Sequence, residues 1–305
     1  MGTPEFAVAS LDKLVQAGCN IVAVVTAPDK PAGRGMQLQQ SAVKKYAVEK
    51  KLNVLQPEKL KDPAFIETLR SLKADIQIVV AFRMLPEIVW DMPAMGTINI
   101  HGSLLPQYRG AAPINWAIIN GEKYTGVTTF KLKHEIDTGD ILLSEKIQIN
   151  ENETAGELHD KMKEVGASLL LKTIEKIVVG NITEIPQPQT SNLEPQTFHH
   201  APKLTTETGI INWNKNIDEV YNLIRGLSPY PTAFTTLENK KLKIYRAEKI
   251  MELPSIQPGN FETNGKSYLR FACSNGYINI AELQLEGKKR MSVEDFLRGY
   301  RFETV

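Results

Sequence analysis

The stretch TINIHGSLLP, residues 97–106, places a polar pair at the end of a short apolar run. Alternate side chains of a β-strand share one face, so Asn99 and His101 are predicted to project together. Gly102 ends the strand, which puts the pair at its C-terminal end, where open α/β sheets bind their ligands. An amide beside an imidazole suits oxyanion stabilisation and proton transfer. The same two residues are also ordinary turn formers, and the pattern alone leaves both interpretations open.

The chain before and after this stretch alternates strand-like and helix-like segments. Residues 19–26, CNIVAVVT, form a β-branched run of the kind that is buried on both faces of a parallel sheet. Similar patterns predict further strands at 52–55, 76–82, 125–132 and 141–147, and helices at 7–17, 41–51, 63–72, 113–120 and 154–178. This order predicts an α/β fold, a parallel sheet with helices on both sides.

The composition changes after Gly180. Residues 185–196, IPQPQTSNLEPQ, are rich in proline and amides, which predicts a surface linker. One amphipathic helix at 217–227 follows, and after it come short alternating segments at 232–237, 241–250, 267–273 and 277–285. Several short strands separated by turn residues are typical of a small β-barrel.

Composition places the chain among globular proteins. It has 305 residues, 42% hydrophobic and 23% charged, with a net charge of +1 that favours no class of partner. Cys19 and Cys273 lie far apart in apolar runs, so we expect buried free thiols and neither a disulfide framework nor a zinc site. No segment reaches the ~20 apolar residues of a membrane span, and the first residues lack the features of a signal peptide. We therefore expect a cytoplasmic protein with no membrane partner.

A second polar cluster, HEIDTGD, occupies residues 134–140 between two predicted strands. The ordinary role of an Asp before Thr-Gly is to start a turn. Its alternative role is to face His101, because a carboxylate favours the protonated form of a nearby imidazole. Spacing alone favours the turn for Asp137. The basic runs at 240–246 and 288–290 are, by the same standard, solvated faces more often than polyanion-binding sites.

Residues 99–117, NIHGSLLPQYRGAAPINWA, together with DTGD at 137–140, resemble the folate-dependent formyltransferases. GTPEFA at 2–7, DKPAGRG at 29–35 and IRGLSPYP at 224–231 are similar to the members of that family that act on methionyl initiator tRNA. The resemblance covers essentially the whole chain. It implies a Rossmann-like formyltransferase domain over 1–187, a linker over 188–202 and a C-terminal OB-like β-barrel domain over 203–305 that holds the tRNA.

The resemblance also implies an activity and its catalytic residues. The family reaction moves a formyl group from 10-formyltetrahydrofolate to the α-amino group of methionine on the initiator tRNA. Matched position by position, Asn99, His101 and Asp137 are the catalytic trio. No side-chain nucleophile is needed, so we expect direct transfer without a formyl-enzyme. We also expect no metal and a monomeric protein.

Binding residues follow from the same matches. The folate pocket is expected to be lined by Phe82, Arg83, Met84, Leu85, Ser103, Leu104, Leu105 and Pro106. The tRNA is expected to contact Lys30 and Arg34 with its acceptor stem, and Lys240, Lys241 and Lys243 with its body.

This sequence departs from the family pattern in two places. Family members often carry Tyr-Gly where this chain has Phe82-Arg83, and they have a short apolar strand ahead of Gly2. We therefore expect that residues are missing before Met1 or that the start is mis-set.

Three alternatives stay open from the sequence. The first is a formyltransferase for a glycinamide ribonucleotide or an amino-sugar nucleotide, against which the basic clusters of the C-terminal segment argue. The second is a hydrolase that uses the same trio to release formate from the folate. The third is a non-catalytic RNA-binding protein, which an intact trio disfavours.

Overall fold

The computed structural model describes residues 1–32, 37–188 and 198–302. The chain divides into two compact units. The first comprises Met1–Gly110, Gly126–Ile147 and His159–His200, and the second comprises Ala111–Thr125, Gln148–Leu158 and Ala201–Val305. The domain limits expected from the sequence at residues 187 and 203 remain a prediction.

The helices follow the amphipathic stretches of the sequence. In chain order they are α1 (Glu5–Gln16), α2 (Ala42–Glu49), α3 (Pro63–Ser71), α4 (Glu87–Trp90), α5 (Pro113–Ile119), α6 (Ala155–Val178), α7 (Ile217–Gly226) and α8 (Val293–Gly299). Ser41 caps α2 by accepting from the backbone N–H of Lys44 at 3.0 Å. Thr154 likewise accepts from the N–H of Glu157, as expected for an N-cap. None of the helices in the described ranges is long and apolar enough to cross a membrane.

The strands match the predicted runs unevenly: those within 19–26, 52–55 and 76–82 are shorter than predicted, whereas those at 125–132 and 141–147 have about the predicted length. They are β1 (Val24–Val25), β2 (Lys30–Ala32), β3 (Gln37–Gln39), β4 (Val54–Leu55), β5 (Gln77–Val79), β6 (Thr97–His101), β7 (Arg109–Gly110), β8 (Tyr124–Lys131), β9 (Ile141–Gln148), β10 (His200–Ala201), β11 (Ala233–Leu237), β12 (Lys240–Ile250), β13 (Phe261–Thr263), β14 (Leu269–Ala272), β15 (Tyr277–Leu285) and β16 (Met291–Ser292). The run at 19–26 contributes only two strand residues, because its paired neighbour β4 begins opposite Val24.

The first unit contains a two-stranded parallel sheet, β1 and β4, and a mixed four-stranded sheet in the order β5-β6-β8-β9. β1 pairs with β4, and β5 pairs with β6, each in parallel, while β8 is antiparallel to β6 and β9 lies beside β8. Gly2 joins the two parallel pairs, because it donates to Val25 and forms a parallel bridge with Val80. Parallel strands that alternate with helices confirm the Rossmann-like α/β prediction.

The first residue of the chain is half-buried, and its α-amino group points into the sheet. The α-amino group of Met1 donates to the carbonyl of Ile78 at 2.6 Å, and burial lowers its pKa to about 5. An apolar cavity of about 480 Å³ adjoins it, lined among others by Leu14, Val22 and Val178. The strand expected ahead of Gly2 remains a prediction.

The second unit contains an antiparallel sheet in the order β11-β12-β15-β14-β13, with β16 beside β15. Helix α7 packs its apolar face on this sheet, and Trp213 stacks on Phe271 with 4.8 Å between ring centroids. Beyond β11, Ile210 forms a single parallel bridge to Phe234. The arrangement confirms the OB-like architecture.

The two cysteines differ in their surroundings. Both are free thiols, as expected, but only Cys273 is fully buried, while Cys19 is half-buried. Burial raises the pKa of Cys273 to about 12. The expectation of a buried thiol is therefore confirmed for Cys273 and only partly met at Cys19.

Candidate active site

The polar pair lies at the end of β6, as the alternation predicts. Ile98 and Ile100 are buried, with 0% and 6% of their surface exposed, which fixes the register of the strand. Parallel pairing of Val79 with Asn99 brings the residues that follow β5 to the same edge of the sheet. Within residues 1–32, 37–188 and 198–302 the Asn99 side-chain amide makes no hydrogen bond. It is therefore a half-buried donor with its capacity unused.

His101 is held at both ring nitrogens. Its Nε2 lies 2.8 Å from the carbonyl oxygen of Tyr108, and since a carbonyl can only accept, Nε2 is the donor. Its Nδ1 lies 3.6 Å from Oδ2 of Asp137. The ring is 7% exposed. The imidazole is therefore held between a carbonyl oxygen and a carboxylate oxygen.

Asp137 combines the two roles between which the sequence left a choice. Its backbone is left-handed, with φ of 55°, as in a turn. Its carboxylate nevertheless faces His101, and the same Oδ2 accepts from the N–H of Gly110 at 3.0 Å. A Cβ at Gly139 would overlap the carbonyl oxygen of Lys131, so only glycine fits there. The turn therefore orients the carboxylate of Asp137 toward His101.

The loop after the pair is held by two buried hydroxyls. Ser103 is fully buried and its Oγ donates to the carbonyl of Gln107 at 2.5 Å. Thr128 donates to the carbonyl of Ser103 at 2.7 Å and accepts from the N–H of Leu105 at 3.2 Å. Leu105 is buried, while Leu104 and Pro106 are half-buried. The Ser103 hydroxyl is thus a structural donor rather than a nucleophile.

Residues 82–85 lie at the same sheet edge and differ among themselves. Leu85 is buried in an apolar cluster against which Phe82 packs, whereas Met84 is 74% exposed. Arg83 donates to the carbonyls of Pro57 and Glu58 at 2.8 and 2.9 Å. Its guanidinium also lies 5.3 Å from the Phe82 ring centroid. The arginine that departs from the family pattern therefore braces a neighbouring loop.

The loop after β1 contains the residues expected at the acceptor stem. Lys30 is exposed and opposite Gln39 in the β2–β3 hairpin, and Arg34 lies outside the described residues. At the base of the loop Asp29 bonds Lys44 at 2.5 Å and Gln56 at 2.8 Å. The Lys44 bond, and then that of Gln56, hold the pKa of Asp29 below its ordinary value.

In the second unit the three predicted lysines lie on β12. Lys240 and Lys241 are exposed and Lys243 is half-buried. Strand alternation sets Lys241 and Lys243 opposite the buried Leu242. The ammonium of Lys241 lies 4.1 Å from the ring centroid of Phe234, a cation–π contact.

Among the described residues, no group of three or more His, Cys, Asp and Glu side chains is arranged to hold a metal ion. The expectation that no metal takes part remains a prediction. The structure also shows one group that the sequence did not indicate. Gln187, in the proline- and amide-rich segment 185–196, bonds the Asp137 loop.

An amide, an imidazole and a carboxylate near the carboxyl end of one strand of an α/β sheet form a site that suits the stabilisation of an oxyanion. A family described as formyl transferase matches residues 1–174, and its C-terminal domain matches 203–301. The chain therefore belongs to the formyl transferase family.

Similar proteins share nearly the full length. A methionyl-tRNA formyltransferase of Bacteroides fragilis is 50% identical, with 98% of this chain and 94% of the relative covered. One from Phocaeicola vulgatus is 54% identical, with coverages of 99% and 94%. Among solved structures, an N-formyltransferase from Helicobacter canadensis in complex with folinic acid and dTDP-3-aminofucose has a TM-score of 0.67, 22% identity and coverages of 95% and 97%. These likenesses span both units.

Proposed function

We propose that this protein transfers the formyl group of 10-formyltetrahydrofolate to the α-amino group of methionyl initiator tRNA, for translation initiation. The observation that carries the proposal is identity of about half with relatives named methionyl-tRNA formyltransferase, along almost the whole chain. The site supports it, because His101 faces Asp137 and Asn99 lies two residues before His101 on the same strand.

Asn99 and His101 supply the electrophilic side of the reaction. When the neutral amine attacks the formyl carbon, negative charge develops on the formyl oxygen. The Asn99 amide donates to that oxygen, since it has no other side-chain partner among the described residues. His101 supplies the positive charge of an imidazolium beside it. Preorganised donors that point at developing charge lower the activation barrier more than most other catalytic devices.

Asp137 acts on the charge of His101 and on the proton of the attacking amine. Its carboxylate lies 3.6 Å from Nδ1 and, in this scheme, balances the charge of the imidazolium. Directly or through water it also receives the proton that the attacking amine loses. The proton then passes to the leaving nitrogen of the folate, so the site returns to its starting state. No covalent formyl-protein forms in this scheme.

The remaining site residues bind rather than react. The loops at 82–85 and 103–106 are proposed to line the folate pocket, with Leu85 and Leu105 as fixed apolar walls. Lys30 and Arg34 are proposed to contact the acceptor stem. Lys240, Lys241 and Lys243 are proposed to contact backbone phosphates, which makes tRNA binding salt-dependent.

The test is formylation by the purified protein with 10-formyltetrahydrofolate and methionyl initiator tRNA. We expect formyl-methionyl-tRNA to accumulate and no formate to appear when the tRNA is omitted. Formate release without tRNA would identify a hydrolase, and formylation of an amino-sugar nucleotide in place of the tRNA would identify a different acceptor. An inactive protein that still binds tRNA would leave only a binding function.

Two further expectations accompany this function. We propose that the protein is a monomer in the cytoplasm, where its tRNA substrate is found. Light scattering coupled to gel filtration measures the first, and fractionation of cells that express the tagged chain measures the second. A dimer mass or a membrane-bound pool would overturn the respective expectation.

A further inference from the structure

Gln187 joins two parts of the first unit that frame the site. Its Oε1 accepts two hydrogen bonds from the Arg109 guanidinium, from Nε at 3.2 Å and from Nη2 at 2.7 Å. Its Nε2 donates to the carbonyl of Asp137 at 3.1 Å and to that of Gly139 at 2.6 Å. The oxygen and the nitrogen of one side-chain amide therefore connect Arg109 to the turn at residues 137–139.

The segment that carries Gln187 is anchored on either side. Ile185 pairs with Ile141 in an antiparallel bridge, with both backbone hydrogen bonds formed. The next residue along, Pro188, accepts a bond from Nη2 of Arg109 at 3.1 Å. The amide of Gln187 is therefore fixed against the Asp137 loop and does not sample solvent freely.

Arg109 is a rigid platform for this contact. It is 6% exposed and lies 5.8 Å from the ring centroid of Phe198. Burial lowers the pKa of its guanidinium, and the charges of Asp137 and Glu135 partly oppose that. The neighbouring Gly110 donates its N–H to Asp137. Strand β7 therefore makes two contacts: Gly110 binds the carboxylate of Asp137, and Arg109 binds the side chain of Gln187.

We infer that Gln187 is a positioning residue for formyl transfer, which holds the left-handed Asp137 turn in the orientation that aims its carboxylate at His101. The inference rests on the proposed function. Asp137 has a positive φ that residues other than glycine rarely adopt, so the turn needs outside support. The two hydrogen bonds from the Gln187 amide to the carbonyls of Asp137 and Gly139 provide that support. Gln187 touches no reacting atom and acts only through Asp137.

Gln187→Glu keeps the side chain as an acceptor for Arg109 but removes its donor to the carbonyls of Asp137 and Gly139. The carboxylate still accepts from Arg109 but cannot donate, and it faces the carbonyls of Asp137 and Gly139 with negative charge. We expect kcat to fall by about 10- to 100-fold, with the KM of each substrate changed by less than about two-fold. Gln187→Met, which removes both the acceptor and the donor without adding charge, should show the same loss of kcat.

Glu184→Gln is the matched control. Glu184 lies on the same segment, and among the described residues its side chain bonds only the ammonium of Lys131 and no atom of residues 137–140. This variant should keep the parental kcat. Deuterium exchange at residues 137–140 should be faster in both Gln187 variants and unchanged in the control.

A double-mutant cycle shows whether Gln187 acts through Asp137. In an Asp137→Asn background, measured in single turnovers, Gln187→Glu should change the rate by less than about two-fold. Parental kcat in both Gln187 variants, or an undiminished loss in the Asp137→Asn background, would overturn the positioning role. An inactive parent protein would instead overturn the proposed function, and this inference with it.

Discussion

The strand end in the first unit and the lysine strand in the second unit hold their polar side chains in opposite ways. His101 is buried between a carbonyl and a carboxylate, and Asp137 is fixed by backbone and side-chain donors. Lys240 and Lys241 project from β12 into solvent, with an aromatic ring as the nearest partner of Lys241. Rigid, desolvated groups are well placed to stabilise the charge that develops in a transition state. Solvated cations are well placed to bind the phosphates of a nucleic-acid backbone. Substitutions in the first region should therefore change kcat, and substitutions in the second should change affinity.

The contrast is tested most severely at Asn99 and His101. Asn99→Ala and His101→Ala should each lower kcat by about 10²- to 10³-fold with little change in KM, because each removes a donor from the oxyanion. Steady-state formylation assays measure both parameters. Asn53→Ala, which removes an exposed amide bonded to the Val22 carbonyl, is the control and should be fully active. A raised KM with parental kcat would mean that the pair binds substrate and does not stabilise charge.

Gly139→Ala tests whether geometry in the first region controls the rate. The added methyl would overlap the Lys131 carbonyl, so the turn must move and Asp137 with it. We expect about a 10- to 100-fold loss of kcat. Gly265→Ala in the second unit is the counterpart, since its φ is 69° but no atom lies within 4 Å of a new Cβ. Because an L-residue in the left-handed region is strained, this variant should lower the free energy of unfolding by about 1 kcal/mol and leave kcat unchanged. Equal rate losses in the two variants would remove the distinction.

The lysine strand should respond through affinity and salt. Lys241→Ala combined with Lys243→Ala should raise the KM for tRNA several-fold and leave kcat at saturation unchanged. The slope of log affinity against log salt should fall by about 0.7–0.9 for each phosphate that the double variant no longer neutralises. Filter binding at several salt concentrations measures this slope. Lys266→Ala, another exposed lysine of the second unit, should have no effect; an unchanged slope in the double variant would remove β12 from the interface.

Glu157 should affect neither rate nor affinity, only stability. The backbone N–H of Thr154, and also Arg246, lower the pKa of Glu157 to about 2. A carboxyl with a depressed folded-state pKa stabilises fully above its unfolded value of about 4.3, and this contribution is lost as pH falls toward 2. Because its side chain is 47% exposed, solvent screening limits the contribution to about 1 kcal/mol or less. Urea unfolding of Glu157→Gln should show that deficit at pH 7 and none near pH 2; a deficit independent of pH would exclude the carboxylate.

Sequence patterns predicted the parts of this molecule that repeat a local rule. Alternation placed Asn99 and His101 together at a strand end, and periodicity predicted helix α6 and the strands β12 and β15, though not the pairing of the two strands. Such rules depend on neighbours within a few residues, which is why they succeed without the rest of the fold. The strand at 19–26 was overpredicted for the same reason, because an apolar run does not reveal where its paired strand begins.

Long-range positions could not be predicted in this way. Asp137 reaches His101 only because its turn is left-handed and Gly139 lets Lys131 approach, and resemblance rather than spacing indicated its role. Gln187 lies in a segment whose proline and amide content predicts a linker. The composition of such a segment shows that it has no apolar face to pack on a core. It does not indicate which carbonyl groups an amide side chain will bind.

The ends of the antiparallel sheet in the second unit bear on its behaviour at high concentration. An unpaired strand edge is a template on which a second chain can add. Here β13 offers only three residues, preceded by Pro258 and Gly259, and the outer side of β11 is bridged at Phe234 by Ile210. Neither edge presents a long continuous row of free backbone groups. Short strands and covered ends therefore protect the sheet against edge-to-edge aggregation, and this protection does not depend on charged side chains at the edges.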